Sequence, residues 1–98
     1  METAHRLIGL FQNDAARIQA LGRQAANGLR VFAGLRSRPV TDIHSLIERV
    51  GISFPTATRV LESLGRLGIV REITGRRRNR VYAYEEYLRI LNEGAEHQ

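Results

Sequence analysis

Residues 41–56, with the sequence TDIHSLIERVGISFPT, decide the fold of this chain. The apolar residues of its first half recur at i, i+3, i+4 and i+7, the spacing of an amphipathic helix. They are Ile43, Leu46, Ile47 and Val50. Thr41 or Asp42 can cap the start of this helix, and Gly51 can end it in the left-handed conformation. The pattern predicts a helix over 42–50 followed by a tight turn.

A second helix is predicted over 53–67. Ser53 is suited to cap it, and Pro55 lies in the first turn, where a missing amide hydrogen does little harm. Its inward stripe consists of Ala57, Val60, Leu61, Leu64 and Leu67. Two helices of this length joined by Gly51-Ile52 are typical of a helix-turn-helix.

After Gly68 the period of the apolar residues changes from 3.6 to 2. Residues 69–73 and 81–84 are rich in β-branched and aromatic side chains, which favours strands. Between them lies the sequence TGRRRNR, residues 74–80, with turn-forming Gly75 and Asn79. We therefore expect a β-hairpin with the length of a wing, and together these parts predict a winged helix-turn-helix.

Further helices flank this unit. The spacing of apolar residues predicts a helix over 4–21 and another from Arg23 or Gly28 to Leu35, as one bent helix or two. Val40 is expected to be a short extended stub. A short helix over 85–91 closes the fold, and the chain from Gly94 is expected to fray. The predicted fold class is mainly α with a small β-hairpin: a winged helix-turn-helix preceded by an extra N-terminal helix and followed by a short C-terminal helix.

Three segments follow from this reading. Residues 1–27 are expected to be a helical linker or dimerisation segment, residues 28–92 the winged helix-turn-helix domain, and residues 93–98 a frayed tail. Two interpretations of the N-terminal helix stay open. It packs back on its own domain, or it pairs with a second copy to make a homodimer, as binding to two half-sites requires; we favour the homodimer.

The charge of the chain is concentrated in one region. The formal net charge is +5, and all fifteen basic residues are arginine. Residues 53–80 hold seven arginines against two acidic residues, which gives +5; residues 1–52 give +3 and residues 81–98 give −3. The excess therefore lies on the second helix of the helix-turn-helix and on the wing. Arginine in place of lysine throughout indicates a composition bias and is not counted as support for a nucleic-acid partner.

The second helix is the predicted recognition helix, which enters the major groove with its N-terminal end first. The candidate DNA-binding residues here are Ser53, Pro55, Thr56, Thr58, Arg59 and Ser63. Arg59 can make a forked contact to guanine or to a phosphate, and Ser53 lies where a helix N-terminus favours a phosphate oxygen. Glu62 on the same face would repel phosphate. The alternative, that this face is only the solvated side of a core helix, stays open.

The wing tip carries Arg76, Arg77, Arg78 and Arg80. Each guanidinium can donate two parallel hydrogen bonds to phosphate oxygens. The alternative is that these side chains pair with Glu72, Glu85 or Glu86, or lie over Tyr82 or Tyr84. Because local acidic residues are too few to neutralise all four, we expect at least two of the arginines to reach a polyanion, with double-stranded DNA as the partner.

Composition excludes several other classes. There is no cysteine, and His5, His44 and His97 are scattered, so we expect neither a disulfide framework nor a metal centre, and no cofactor. No glycine-rich phosphate loop or nucleophile elbow occurs, so the chain is not expected to be an enzyme. No apolar run approaches the length of about 20 residues that spans a bilayer, and no signal peptide precedes the fold, so we expect no membrane partner and a cytoplasmic location.

The chain also resembles a known group. The sequences GISFPT (51–56), LESL (61–64), LGIVRE (67–72), TGRRRNRVY (74–82) and YL (87–88) are similar to the C-terminal winged-helix region of bacterial Fic-family proteins. The upstream LF (10–11), RI (17–18), LGR (21–23) and LRV (29–31) are similar to the helical segment that precedes that region. The Fic catalytic loop, His-Pro-Phe-x-x-Gly-Asn-Gly-Arg, is missing. The resemblance thus implies an accessory domain, with a Fic catalytic domain as a possible partner and a protein-interaction module as the alternative function.

Overall fold

The computed structural model describes residues 2–96. These residues form five α-helices and three short strands, with a single 3-10 turn at Gly22–Gln24. In chain order they are α1 (Glu2–Gln19), α2 (Ala25–Ser37), β1 (Val40–Asp42), α3 (Ile43–Val50), α4 (Phe54–Arg66), β2 (Arg71–Glu72), β3 (Val81–Ala83) and α5 (Glu85–Glu96). The predicted fold class is confirmed: a winged helix-turn-helix lies between an N-terminal and a C-terminal helix.

Local chemistry sets the helix-turn-helix as predicted. The Asp42 side chain caps α3 by accepting the backbone N–H of Ser45 at 3.1 Å, and hydrogen bonding from the Ser45 side chain and from this backbone N–H lowers the pKa of Asp42. Gly51 ends α3 with φ of 77°, a conformation that costs other residues more than glycine. Arg30 of α2 donates to the carbonyl oxygen of Val50 at 2.7 Å and so satisfies the C-terminal end of α3.

The sheet has one strand more than the predicted hairpin. Its order is β1-β3-β2 and all pairs are antiparallel, with Val40 opposite Ala83 and Arg71 opposite the same residue. The extended stub at Val40 is therefore an edge strand, which local sequence does not reveal because its partner lies some forty residues away. Ile69 and Val70 are outside β2, since both amides donate to the Leu64 carbonyl oxygen at the end of α4.

The core lies around α2, which packs on α1, α3 and α4. Its largest fully buried side chains come from α1, α2, α3, α4 and the residue after β3: Ile18, Val31, Leu35, Leu46, Val60, Leu61, Leu64 and Tyr84. Phe11 of α1 packs edge-on against Phe32 of α2 and Tyr87 of α5. The winged helix thus closes its core with aromatic side chains from both flanking helices.

The N-terminal helix packs back on its own domain. It ends at Gln19, the 3-10 turn follows, and α2 begins at Ala25, so two helices are present rather than one bent helix. The Tyr84 hydroxyl donates to the buried carboxylate of Asp14 at 2.6 Å, which ties α1 to the residue after β3. Residues 2–27 therefore share one core with the predicted 28–92 domain.

The C-terminal helix is longer than expected. It continues to Glu96, so the prediction that the chain frays from residue 93 is wrong as far as Glu96. The reason is the first two turns of α1: Arg6 forms an ion pair with Glu93 at 2.7 Å, and Thr3 lies so close to Gly94 that any side chain there would collide with it. His97 and Gln98 of the predicted tail lie outside the described residues.

Between residues 2 and 96 no helix is both long enough and apolar enough to cross a membrane. The same residues contain no cluster of three or more side chains suited to hold a metal ion.

Candidate nucleic-acid interface

The N-terminal end of the recognition helix α4 is exposed, and its first turn is capped by Ser53. Ser53 accepts the backbone N–H of Thr56 at 3.3 Å and donates its hydroxyl hydrogen to the Thr56 hydroxyl at 2.9 Å. Ser53 and Pro55 are exposed, and Thr56 is half-buried. This end of the helix therefore presents backbone amides and two linked hydroxyls, a surface able to approach a phosphate oxygen.

On one side of α4, Arg59 is exposed and borders a cleft of about 350 Å³. Arg23 and Asn27 line the opposite wall of this cleft. Arg23 was missed by sequence reasoning, because only tertiary packing brings the 3-10 turn beside the recognition helix. The arrangement puts two guanidinium groups on this flank.

On the other side of α4, a second cleft of about 340 Å³ separates the helix from the wing. Its lining combines the helix-turn-helix and the wing tip: Ile43, His44, Phe54, Thr58, Arg77, Arg78, Asn79, Arg80 and Tyr82. None of these nine lining residues is acidic. Among them, Thr58 has a buried hydroxyl without a hydrogen-bond partner in residues 2–96. Three of the four predicted wing arginines thus face the recognition helix across a positively charged cleft.

The wing tip is held by its own turn. The Glu72 carboxylate accepts the backbone N–H groups of Thr74 at 2.8 Å and Gly75 at 3.0 Å, and the Thr74 hydroxyl also donates to it. These hydrogen bonds, from Thr74 above all, lower the pKa of Glu72. Asn79 adopts a positive φ of 53°, and the Arg80 Nε donates to the Arg76 carbonyl oxygen at 2.6 Å. Glu72 therefore shapes the turn.

The acidic residues that were alternatives for neutralising the wing are used elsewhere. Glu85 pairs with Arg71 at 2.5 Å, and Glu86 pairs with Arg89. Within residues 2–96 none of the four wing arginines forms an ion pair. In the same part of the chain, the cation–π contacts belong to Arg36, which lies over the Phe11 ring, and to no wing residue. In residues 2–96 the wing guanidiniums therefore have no carboxylate partner within ion-pair distance, and that of Arg80 donates to the Arg76 carbonyl oxygen.

The predicted placement of one site residue is wrong. Ser63 was expected on the outer face of α4, yet it is only 4% exposed. Its hydroxyl donates to the Gln24 side chain and accepts from Arg66 at 3.0 Å. The reason is that α2 and the 3-10 turn pack on this face of α4, so the solvated arc is narrower than the helix pattern indicates.

Sequence reasoning also missed an aromatic pair at the start of α4. Phe54, its first residue, is 51% exposed and stacks on His44 of α3 with ring centroids 6.0 Å apart and an interplanar angle of 29°. The spacing of apolar residues shows only that Phe54 is not part of the inward stripe of α4. It does not predict which side chains lie next to the ring.

The helix-turn-helix, the third strand and the basic wing define the class: this chain has a winged helix-turn-helix fold. Two solved structures resemble it. The crystal structure of the PcaV transcriptional regulator from Streptomyces coelicolor matches with a TM-score of 0.55 and 20% identity, over 92% of this chain and 71% of that one. The crystal structure of transcriptional regulator PA4135 matches with a TM-score of 0.54 and 25% identity, over 95% of this chain and 68% of that one.

No family model and no curated protein matches the sequence. The resemblance to the Fic family therefore stays a prediction from the residues alone.

Proposed function

We propose that this chain is a regulatory module that binds double-stranded DNA through α4 and the wing. The observation that carries the proposal is the set of arginines without ion pairs in residues 2–96 on both flanks of α4. Arg23 and Arg59 lie on one flank, and Arg77, Arg78 and Arg80 lie on the other. A recognition helix in the major groove has a phosphate backbone on each side, which such a pair of flanks would neutralise.

The roles of the groups follow from their chemistry. The wing arginines and Arg23 would contact phosphates, which fixes the orientation of the protein without reading sequence. Ser53 and Thr56 would bring the helix N-terminus to another phosphate. Arg59 has the reach and the planar donors for a guanine edge or for the backbone. Thr58 and Pro55 complete the surface that faces the groove, whereas Ser63 is withdrawn from it.

The two solved structures that resemble the chain are both transcriptional regulators, which supports a regulatory module over a docking module. Because no family model supports the Fic resemblance, the proposed partner is duplex DNA and not a Fic catalytic domain.

Salt dependence of DNA affinity is the direct test. If Arg23, Arg59 and the four wing arginines each neutralise one phosphate, the slope of log affinity against log salt is about −5, and affinity falls about a thousandfold between about 50 and 200 mM salt. Fluorescence anisotropy with a labelled duplex of random sequence measures this slope. Replacing Arg77 and Arg78 together by glutamine should reduce its magnitude by about 2.

A second double variant tests whether the position of the lost arginines, and not the net charge of the chain, determines the salt slope. Replacing Arg6 and Arg89 by glutamine removes the same two charges, but Arg6 pairs with Glu93 and Arg89 pairs with Glu86 and Glu93 of α5, away from α4. This variant should keep the wild-type slope. Binding that does not respond to salt, or equal losses in the two double variants, would refute the proposed interface.

Dimerisation through α1 remains part of the proposal. Ile8 of α1 is 56% exposed, and a shallow surface beside it is lined by Phe11, Gln12, Ala15 and Arg36. An apolar strip left uncovered after α1 has packed on its own domain is what a second copy would bury. Sedimentation velocity at tens of micromolar should give a dimer for the wild type and a monomer for Ile8→Glu; a wild-type monomer would remove this part.

A further inference from the structure

The exposed aromatic ring at the start of the recognition helix has no role among the phosphate contacts. Phe54 is 51% exposed, and of the large apolar side chains exposed in residues 2–96 it is the one that lies in α4. A phenyl ring neither donates nor accepts a strong hydrogen bond, and it cannot neutralise a phosphate. Leaving it in water at a charged surface forgoes the free energy of its burial. A partner that covers it must offer an apolar group.

The position of the ring is fixed by its neighbours. His44 stacks on one face of Phe54 with 6.0 Å between centroids, and both rings line the cleft that also holds Thr58 and the wing arginines. Phe54 is the first residue of α4, so it lies at the N-terminal end of this helix, across the cleft from the wing guanidiniums that are placed for phosphates. In a recognition helix this end contacts base edges.

The major groove offers one prominent apolar group, the C5-methyl group of thymine. We infer that Phe54 contacts a thymine methyl group in the bound duplex and makes the chain select thymine at one position of its site. This inference rests on the proposed binding of duplex DNA and adds to it a base that is read. His44 is a positioning residue, because its ring supports Phe54 without reaching the base.

The test isolates the methyl group. A preferred duplex is selected from a random pool with the wild-type chain, and each thymidine is then replaced singly by deoxyuridine, which removes the methyl group and keeps the hydrogen-bonding edge. Burial of one methyl group corresponds to about a fourfold change in affinity. We expect the wild type to lose about fourfold on replacement of the thymidine that one copy of the chain contacts, and little elsewhere.

Variants assign the effect to the ring. Phe54→Ala should bind the two duplexes equally at that position, and Phe54→Leu should keep part of the discrimination. Leu91→Ala is the matched control, because Leu91 is a 39% exposed apolar residue of α5, remote from α4 in the chain, and this variant should discriminate as the wild type does. Circular dichroism checks that each variant is folded. We expect folded variants, because the replaced side chains are about half exposed and contribute little to the core.

The outcomes separate the two proposals. A wild type that binds no duplex at low salt removes both the proposed function and this inference. A wild type that binds with the expected salt slope but enriches no sequence, or shows no loss on any thymidine replacement, overturns only the inference. Discrimination that persists in Phe54→Ala also overturns it, since another group then reads the methyl.

Discussion

Replacing Tyr84 by phenylalanine removes one hydroxyl group from the centre of the fold and leaves the ring in place. Tyr84 is 0% exposed, and its hydroxyl donates to the carboxylate of Asp14, itself 3% exposed, at 2.6 Å. A hydrogen bond to a charged group contributes about 1.5–3 kcal/mol. Because Arg17 still donates to the Asp14 carboxylate at 3.1 Å, the loss falls near the middle of this range, about 2 kcal/mol.

Thermal unfolding followed by circular dichroism measures this loss. For a domain of this size about 2 kcal/mol corresponds to a decrease of about 8–16 °C in Tm. Tyr87→Phe is the matched control: its ring lies 5.6 Å from that of Tyr84 in the same aromatic cluster, and within residues 2–96 its hydroxyl makes no side-chain hydrogen bond. We expect the control to change the free energy of unfolding by less than about 0.5 kcal/mol.

The same hydroxyl predicts an alkaline effect. Burial, together with the hydrogen bond to Asp14, raises the pKa of Tyr84 above its ordinary value of 10.0. The folded state therefore keeps this proton at a pH where the unfolded state loses it. The stabilisation is complete below about pH 10 and decreases as the pH rises further. Tyr84→Phe should flatten the dependence of Tm on pH above about pH 10. Equal Tm values for the two phenylalanine variants, or equal slopes, would refute the role given to this hydrogen bond.

Three further predictions concern the helix-turn-helix and are checked by the same unfolding assay. Asp42→Ala should cost about 1 kcal/mol through loss of the α3 cap, and Asp42→Ser much less. Since hydrogen bonding from the Ser45 side chain and backbone lowers the pKa of Asp42, the stability difference between wild type and Asp42→Ala should decrease as the pH falls below about 4. Gly51→Ala should cost about 1–2 kcal/mol because φ is 77°, with Gly51→Asn tolerated better. Ser63→Ala should lower Tm by leaving Gln24 without its partner, yet leave the salt slope of DNA binding unchanged; a changed slope would return Ser63 to the interface.

The parts of the fold that could be predicted are those encoded by neighbouring residues. Asp42, Gly51 and Ser53 act as caps and turn within a few residues of their own helices, so the helix-turn-helix follows from spacing alone. The hairpin follows from the change of period after Gly68. The exposure of the wing arginines could also be predicted, because it depends only on the turn that contains them.

The parts that could not be predicted depend on contacts across the chain. The pairing of Val40 with Ala83 and the hydrogen bond of Asp14 with Tyr84 have no local signature. Ser63 has the spacing of a solvated position, and only the packing of α2 on α4 withdraws it. The site was therefore predictable where it is a turn or a helix end, and not where two elements meet, as at Arg23.

Because β3 is the central strand of the sheet, the length of the wing can change without changing the stability of the domain. β3 is paired on both edges, and the Ile73 amide donates to the Val81 carbonyl oxygen at 2.9 Å, so both ends of the tip are fixed before the tip begins. Doubling the length of a closed loop costs only about 0.6 kcal/mol. Insertions between residues 74 and 80 would then extend the span of duplex covered while leaving the core unchanged. The length of duplex that the wing covers can therefore change with little loss of folding free energy, whereas a change in the helix-turn-helix alters the packed core.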